Sequence, residues 1–187
     1  ITVLGTIMQL KDRKKEPEKM VQLDPLSVMS ESYKAIRTSI LLSSAEGPPK
    51  KLLITSMSPK EGKSTVCSNL ATTLADDNKR VVLIDCDLRK SRVHKIFQLD
   101  NEEGLSTYLS GAFGEEIIYD DLTIANHSIV PSGPAPPNPT ELLGSKRFKD
   151  FLAKLEKEYD FVLLDTPPIL SVTDSLLLSN IVDGMIV

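Results

Sequence analysis

The residues with the clearest chemical potential are a glycine, a lysine and two hydroxyl side chains in a row, Gly62-Lys63-Ser64-Thr65. A short apolar run precedes them, and apolar residues then recur at three- and four-residue spacing, which predicts a strand, a loop and a helix. In that context a glycine-rich loop binds phosphate, because its backbone N–H groups and the helix start converge on one anion. Lys63 would add positive charge there, and Ser64 would offer a hydroxyl to Mg²⁺.

The loop departs from the standard pattern G-x-x-x-x-G-K-[ST] at its first position, where Met57 stands in place of glycine. The Gly-Lys-Ser half alone indicates phosphate binding and nothing more specific. Other parts of the chain must therefore support the interpretation.

Two apolar stretches that end in aspartate provide this support. Residues 80–85 end in Asp85, with Asp87 two positions later, and residues 160–165 end in Asp165. A lone aspartate at a strand end is more often a turn or capping residue than a ligand. Two such strands after one phosphate-type loop favour a nucleotide site, because the carboxyl ends of parallel strands meet at the ligand crevice. Asp165 has the form of a Walker B carboxylate, which holds the Mg²⁺ shell.

The order of the remaining patterns predicts an α/β fold, a doubly wound and mostly parallel sheet with helices on both faces. Asn138 is predicted to cap a helix that starts at Pro139, and Ser145 precedes a second helical pattern. The other predicted helices are 28–44, 105–109, 115–119 and 174–180, and the other predicted strands are 122–125, 128–130 and a last one from Gly184.

Composition narrows the function classes. The chain has 187 residues, 41% hydrophobic and 26% charged, which is typical of one globular domain. A net charge of −4 argues against a nucleic-acid-binding surface. The two cysteines lack metal-ligand spacing and indicate a reducing compartment, and two distant histidines argue against zinc. No apolar run reaches membrane-spanning length, and residues 1–10 lack the features of a signal peptide.

The two ends of the chain carry their own expectations. Residues 1–23 are interpreted as a juxtamembrane linker and residues 24–187 as the domain, with its C-terminal part truncated. The mixed charges of residues 11–19 fit either a solvated linker or a segment on the cytoplasmic side of a membrane helix. Because residues 184–187 read as the start of a strand, we expect further sequence after Val187.

The polar side of the helix predicted over 28–44 carries Glu31, Lys34 and Arg37 at three-residue spacing. The simpler interpretation is a solvated face with an i,i+3 ion pair. The alternative is a charged strip that contacts another subunit. Periodicity alone favours the solvated face.

Three motifs together support a family resemblance. Residues 58–64, 83–89 and 162–168 closely resemble the Walker A, A′ and B motifs of bacterial tyrosine kinases, the cytoplasmic domains that partner membrane polysaccharide co-polymerases. Residues 132–143 and 31–37 fit the same family, and the resemblance spans about residues 24–187. This family lacks the first loop glycine, so Met57 fits. The related MinD/ParA-like ATPases carry an extra lysine at the position of Ser58, which this chain lacks.

The resemblance implies ATP and Mg²⁺ as cofactors and assigns a role to each motif residue. Lys63 would contact the β- and γ-phosphates, Asp87 would accept the proton of an incoming tyrosine hydroxyl, and Arg89 would stabilise phosphate charge or order its loop. Lys63, Asp85, Asp87 and Asp165 form the implied catalytic set, and Ser64, Asp85 and Asp165 the implied metal set. The implied phosphate cradle is Ser58, Pro59, Lys60, Glu61, Gly62, Lys63, Ser64 and Thr65.

The resemblance also implies a protein-tyrosine autokinase that phosphorylates a C-terminal tyrosine cluster of a neighbouring subunit and regulates capsular or exopolysaccharide synthesis. Its implied partners are other copies in a ring, joined through Glu31, Lys34 and Arg37, and a membrane co-polymerase region fused upstream. The implied location is the cytoplasmic face of the inner membrane. Lys34 departs from the arginine usual in the family, which predicts a weaker contact between copies.

Two other functions compete with this one. A MinD/ParA-type switch would dimerise on ATP and transfer no phosphate to protein. A non-enzymatic module would use the nucleotide only to control docking to a membrane partner. The sequence after Val187 discriminates, because a tyrosine cluster favours the kinase and a basic amphipathic helix favours the switch.

Overall fold

The computed structural model describes residues 2–8 and 16–187. Within them a sheet forms from strands that are mostly parallel, in the order β3-β4-β2-β5-β1-β6, with β3 alone antiparallel to its neighbour. The strands are β1 (Lys51–Ile54), β2 (Val81–Asp85), β3 (Tyr119–Asp120), β4 (His127–Val130), β5 (Phe161–Asp165) and β6 (Gly184–Ile186).

Helices connect these strands and cover the sheet. They are α1 (Met20–Leu23), α2 (Val28–Leu41), α3 (Lys63–Ala75), α4 (Val93–Phe97), α5 (Leu105–Leu109), α6 (Pro139–Gly144), α7 (Lys146–Glu158) and α8 (Asp174–Ser179). Within the described ranges, every helix falls short of the length and apolar character needed to cross a bilayer.

The sheet separates two apolar cores. Alternate strand residues, such as Val82 and Leu164, pack on one face with the buried sides of α5, α6, α7 and α8. The intervening residues, such as Leu83 and Leu163, pack on the other face with α2 and α3. Because both faces are covered, the strands are apolar along their whole length. The predicted doubly wound fold with helices on both faces is confirmed.

Register brings the two strand-terminal aspartates together. β2 and β5 are neighbours, and Asp85 pairs with Asp165 at their carboxyl ends. On its other side β5 pairs with β1, so that Asp165 lies opposite Ile54, the last residue before the loop that leads to α3. All three motifs therefore lie together at the carboxyl ends of β1, β2 and β5.

The local predictions were correct for most elements and wrong for two. Residues 122–125, predicted as a strand, form a turn in which Asp121 Oδ1 accepts hydrogen bonds from the backbone N–H groups of Thr123 and Ile124. Residues 115–119, predicted as a helix, form a 3₁₀ turn at Glu115–Ile117 and then enter β3. At residues 122–125, hydrogen bonds from the backbone to the Asp121 side chain replace the predicted strand. At residues 115–119, pairing of β3 with β4 replaces the end of the predicted helix.

The helix starts at α6 and α7 differ in how they are capped. The Ser145 hydroxyl accepts from the Phe148 N–H and caps α7, the helix predicted to follow it. Pro139 opens α6, but the Asn138 side chain donates to Glu141 Oε2 and does not cap the helix.

The segment N-terminal to α2 packs against α3. Met20 and Val21 are buried with Met29 and Tyr33. Asn69, on α3, accepts a hydrogen bond from the Val21 N–H at 2.9 Å through Oδ1 and donates to the Pro17 carbonyl at 2.7 Å through Nδ2. The packed part of the chain thus extends before Asp24, where the sequence-based domain boundary was drawn, while residues 1 and 9–15 of the predicted linker lie outside the described residues.

We expect Gly104→Ala to lower the free energy of unfolding by about 1–3 kcal/mol, the usual cost of forcing an extra group into a closely packed site. A Cβ at Gly104 would lie 2.5 Å from the Pro131 carbonyl oxygen and against the Gly133 backbone, neither of which can turn away. Gly144→Ala is the control, because its Cβ would meet a flexible Leu177 methyl at 3.3 Å. Chemical denaturation of both variants measures the difference, and equal stabilities would contradict the close contact.

Candidate nucleotide site

The loop between β1 and α3 has the backbone shape of an anion cradle. Gly62 lies in the left-handed region with φ +95° and immediately precedes α3, and Lys60 has φ +70°. The first-turn N–H groups of α3 therefore point out of the helix toward the loop. Two contacts brace the loop: the Ser58 N–H donates to Glu61 Oε2 at 3.0 Å, and the Ser56 hydroxyl donates to the Ser58 carbonyl at 2.8 Å.

Lys63 is the cation at the centre of the site. Its Nζ lies 3.1 Å from Asp87 Oδ2 and 3.5 Å from Asp165 Oδ1, and the side chain is 12% exposed. Burial alone would lower the pKa of Lys63, but the charges of Asp165 and Asp87 outweigh it and raise the pKa above its ordinary value. Lys63 therefore stays charged at neutral pH.

Asp85 and Asp165 lie behind Lys63, both fully buried. Asp85 accepts three backbone hydrogen bonds at 3.1 Å, from the N–H groups of Asp87, Arg92 and Val93, so it shapes the loop after β2. Burial and the neighbouring charge of Asp165 raise the pKa of Asp85 to about 7. Burial likewise raises the pKa of Asp165, although Lys63 and Ser64 oppose the shift.

Asp165 offers an oxygen that suits a metal shell. Its Oδ1 faces Lys63, whereas its buried Oδ2 has no hydrogen-bond partner in the part of the chain that the structure describes. A buried carboxylate oxygen without a donor is costly unless a cation or water meets it. Asp165 and the nearby Ser64 hydroxyl therefore fit a magnesium ion held largely by water and phosphate. Asp85, whose two oxygens are already bonded, has less capacity left for one.

Asp87 projects from the loop after β2 into the site. It is 4% exposed, contacts Lys63 through Oδ2 and accepts the Lys90 N–H through Oδ1 at 3.0 Å. The carboxylate is thus aimed by its own loop and lies beside the lysine expected to bind phosphate. This arrangement places a buried carboxylate directly beside the Lys63 ammonium on the wall of the cavity.

A cavity of about 290 Å³ opens above these groups. Of the predicted site residues, it is lined by Pro59, Lys60, Gly62, Lys63, Ser64, Thr65, Asp87 and Arg89. Ser58, Glu61, Asp85 and Asp165 lie outside the lining and support it from behind or beside. The site-lining residues that sequence reasoning missed are Lys90, Arg92, Pro167, Pro168, Ser171 and Val172. For Pro167 and Pro168 the signal was their position directly after the Asp165 strand, whereas Ser171 and Val172 belong to no motif.

The charged strip of α2 divides between two roles. Lys34 Nζ pairs with Glu31 Oε1 at 2.7 Å, the i,i+3 ion pair of the simpler interpretation. Arg37 instead turns toward α3, where Nη1 donates to the Thr73 carbonyl at 3.0 Å and lies 3.9 Å from Asp77.

The fold and the cradle define the chain as a P-loop protein of the kind that binds nucleotides. The sequence matches the AAA domain family over residues 54–187. The cell division ATPase MinD of Pyrococcus furiosus shares the fold, with a TM-score of 0.61 over 73% of this chain and 57% of that one at 24% identity.

Closer relatives narrow the class. The tyrosine-protein kinase YwqD of Bacillus subtilis is 43% identical over 163 residues, which are 87% of this chain and 69% of YwqD. The kinase domain of the Escherichia coli tyrosine kinase ETK superposes with a TM-score of 0.90 at 32% identity, covering 99% of this chain and 76% of that structure. The chimerical protein CapA2B2 also superposes at 0.90, with 34% identity over 98% of this chain and 78% of that one.

The chain belongs to the family of bacterial tyrosine-protein kinases, as the sequence resemblance predicted. It spans 69% of YwqD but only 23% of the tyrosine-protein kinase wzc of Salmonella typhimurium, to which it is 39% identical.

Proposed function

We propose that this domain binds ATP with Mg²⁺ and transfers the γ-phosphoryl group to tyrosines of a neighbouring copy. The observation that carries the proposal is Asp87 Oδ2 at 3.1 Å from Lys63 Nζ on the wall of the cavity. A cation for the phosphates and a carboxylate for the acceptor proton are the two protein groups that phosphoryl transfer to a hydroxyl needs.

Each residue of the site has a part in this mechanism. The backbone of residues 58–65 cradles the phosphates, and Lys63 leaves its carboxylate partners to contact the β- and γ-oxygens. Mg²⁺ supplies neutralisation of phosphate charge, and the Ser64 hydroxyl together with Asp85 and Asp165 would hold it and its water shell. Asp87 accepts the tyrosine proton, and Arg89 stabilises phosphate charge from the rim.

The acceptor and the wider role follow the family. Four tyrosines occur in the chain, and Tyr33 is fully buried against α3, where it cannot reach another subunit's site. The family resemblance leads us to place the acceptors in a tyrosine cluster C-terminal to Val187. The protein would act at the cytoplasmic face of the inner membrane, joined to a polysaccharide co-polymerase region, and would regulate capsular or exopolysaccharide synthesis.

The direct test is mass-spectrometric mapping of phosphotyrosine on the full-length protein after incubation with Mg-ATP. Phosphate on clustered C-terminal tyrosines supports the kinase. ATP-dependent dimerisation without phosphotyrosine supports the MinD-type switch, which the shared fold favours as the second candidate. Nucleotide binding with neither result leaves the non-enzymatic docking module.

We expect Arg37→Ala to reduce the molar mass of the assembled full-length protein in multi-angle light scattering. Arg37 would lose both its place in the contact strip with Glu31 and Lys34 and its hydrogen bond to the Thr73 carbonyl. Since the second loss costs stability in any case, about 1 kcal/mol for one hydrogen bond, a thermal melt must accompany the mass.

The matched control is Arg80→Ala, which breaks an exposed pair with Asp160 just before the starts of β2 and β5. A lower melting temperature for Arg37→Ala with an unchanged mass would mean that Arg37 only fastens α2 to α3. The strip would then be a solvated face.

A further inference from the structure

Arg89 is held at the cavity rim by two residues from distant parts of the chain. Its Nε donates to Asp174 Oδ2 at 3.0 Å, and its Nη2 donates to the Thr140 hydroxyl at 3.1 Å and to Asp174 Oδ1 at 3.4 Å. The Thr140 hydroxyl in turn donates to Asp174 Oδ1 at 2.6 Å. We call Asp174 and Thr140 the arginine clamp; they lie at the starts of α8 and α6.

The clamp is itself fixed to the site. Asp174 is 1% exposed, and the next residue, Ser175, donates to the Thr166 hydroxyl and the Pro167 carbonyl in the loop after β5. The start of α8 therefore cannot move independently of the loop that follows Asp165. A guanidinium gripped on two of its three nitrogens has little rotational freedom left.

The hydrogen bonds to Asp174 and Thr140 leave part of the Arg89 guanidinium available to a ligand. Arg89 lines the cavity, and its side chain remains 39% exposed. Among residues 2–8 and 16–187, no hydrogen bond is made by its Nη1. The same loop carries Asp87, whose Oδ1 accepts the Lys90 N–H, so that fixing Arg89 also steadies the turn that aims Asp87.

We propose that Asp174 and Thr140 are positioning residues that hold the Arg89 guanidinium against the anionic group in the cavity and keep the Asp87 loop in register with it. This inference rests on the proposed function and adds to it two residues outside all three motifs. Misplacing a charge-stabilising group by about 1 Å costs roughly a hundredfold in rate, so such residues matter without touching substrate.

The alternative interpretation is purely structural: Arg89 serves only to neutralise the buried carboxylate of Asp174. A buried ion pair is strongly destabilised when one partner is removed, because the other charge stays behind uncompensated. Arg89→Ala should then lower the melting temperature, and adding Asp174→Asn, which removes the stranded charge, should restore it. The positioning interpretation and the structural interpretation predict different kcat values for the Asp174→Asn variant.

The experiment is a double-mutant cycle on the full-length protein with Arg89→Ala, Asp174→Asn and the double variant, measured by kcat, KM for ATP and thermal melting. We expect Asp174→Asn alone to lower kcat about 10- to 100-fold, with a smaller change in KM. The double variant should be no slower than Arg89→Ala, and it should regain melting temperature without regaining kcat. Asp160→Asn, which breaks the exposed Arg80 pair, is the matched control and should keep the wild-type kcat.

Three results would overturn the proposal. The first is a kcat for Asp174→Asn within twofold of wild type. The others are a fold-loss of kcat in the double variant equal to the product of the two single losses, or a kcat that recovers in the double variant together with the melting temperature. Thr140→Val covers the case in which Asp174→Asn fails to fold, since it removes one hydroxyl and should lower kcat about three- to tenfold. If wild-type protein labels no tyrosine, the proposed function fails, and the same cycle is then measured on the rate of ATP hydrolysis.

Discussion

Lys63→Met is expected to reduce phosphotyrosine on the full-length protein by about a hundredfold or more, the range seen when one preorganised charge is removed from a transition state. Lys63 lies within 3.5 Å of carboxylate oxygens of both Asp87 and Asp165, and its side chain is 12% exposed, so its charge is largely shielded from solvent. Methionine keeps an unbranched apolar stem of similar size but ends one atom short of the ammonium nitrogen. The change therefore isolates the ammonium group.

The same substitution has a second consequence that must be separated from the first. Removing Lys63 leaves Asp85 and Asp165 without the charge that lowers their pKa values, which favours proton uptake by these two buried carboxylates. We therefore expect a lower melting temperature as well as lost transfer. Phosphotyrosine should be measured at a temperature where the variant is folded by circular dichroism, with Lys146→Met on the exposed face of α7 as the control. Labelling of Lys63→Met at the wild-type level would mean that the phosphate site lies elsewhere.

The arrangement of the site was largely predictable because it follows from local patterns. Gly62 needs a left-handed backbone, and the apolar strands that end in Asp85 and Asp165 can meet only where parallel strands end. These are short-range or topological constraints, and a single sequence shows them directly. For the same reason the fold class could be inferred before any contact was known.

What the sequence did not reveal depends on contacts between remote segments. Arg89 was recognised, but its partner Asp174 follows 85 residues later and looked like an ordinary first residue of a short helix. Arg37 looked like a surface residue and turns out to reach the Thr73 carbonyl on α3. Long polar side chains have several partners within reach, and only the packing of the surrounding elements decides among them.

Asp87→Asn is expected to separate nucleotide binding from phosphoryl transfer. Asparagine keeps the Oδ1 that accepts the Lys90 N–H, so the loop retains its shape, but it loses the negative charge and the ability to accept a proton. Since Asp87 competes with phosphate for Lys63, its neutralisation should leave ATP affinity unchanged or slightly tighter. Transfer should fall by about two orders of magnitude or more, the usual contribution of a general base.

The measurement pairs calorimetric titration with a non-hydrolysable ATP analogue and Mg²⁺ with single-turnover transfer to the C-terminal tyrosines. Asp160→Asn is the control for a general effect of losing one carboxylate, since Asp160 pairs with Arg80 on the surface. If affinity and transfer decline together in Asp87→Asn, Asp87 holds the metal and not the acceptor proton.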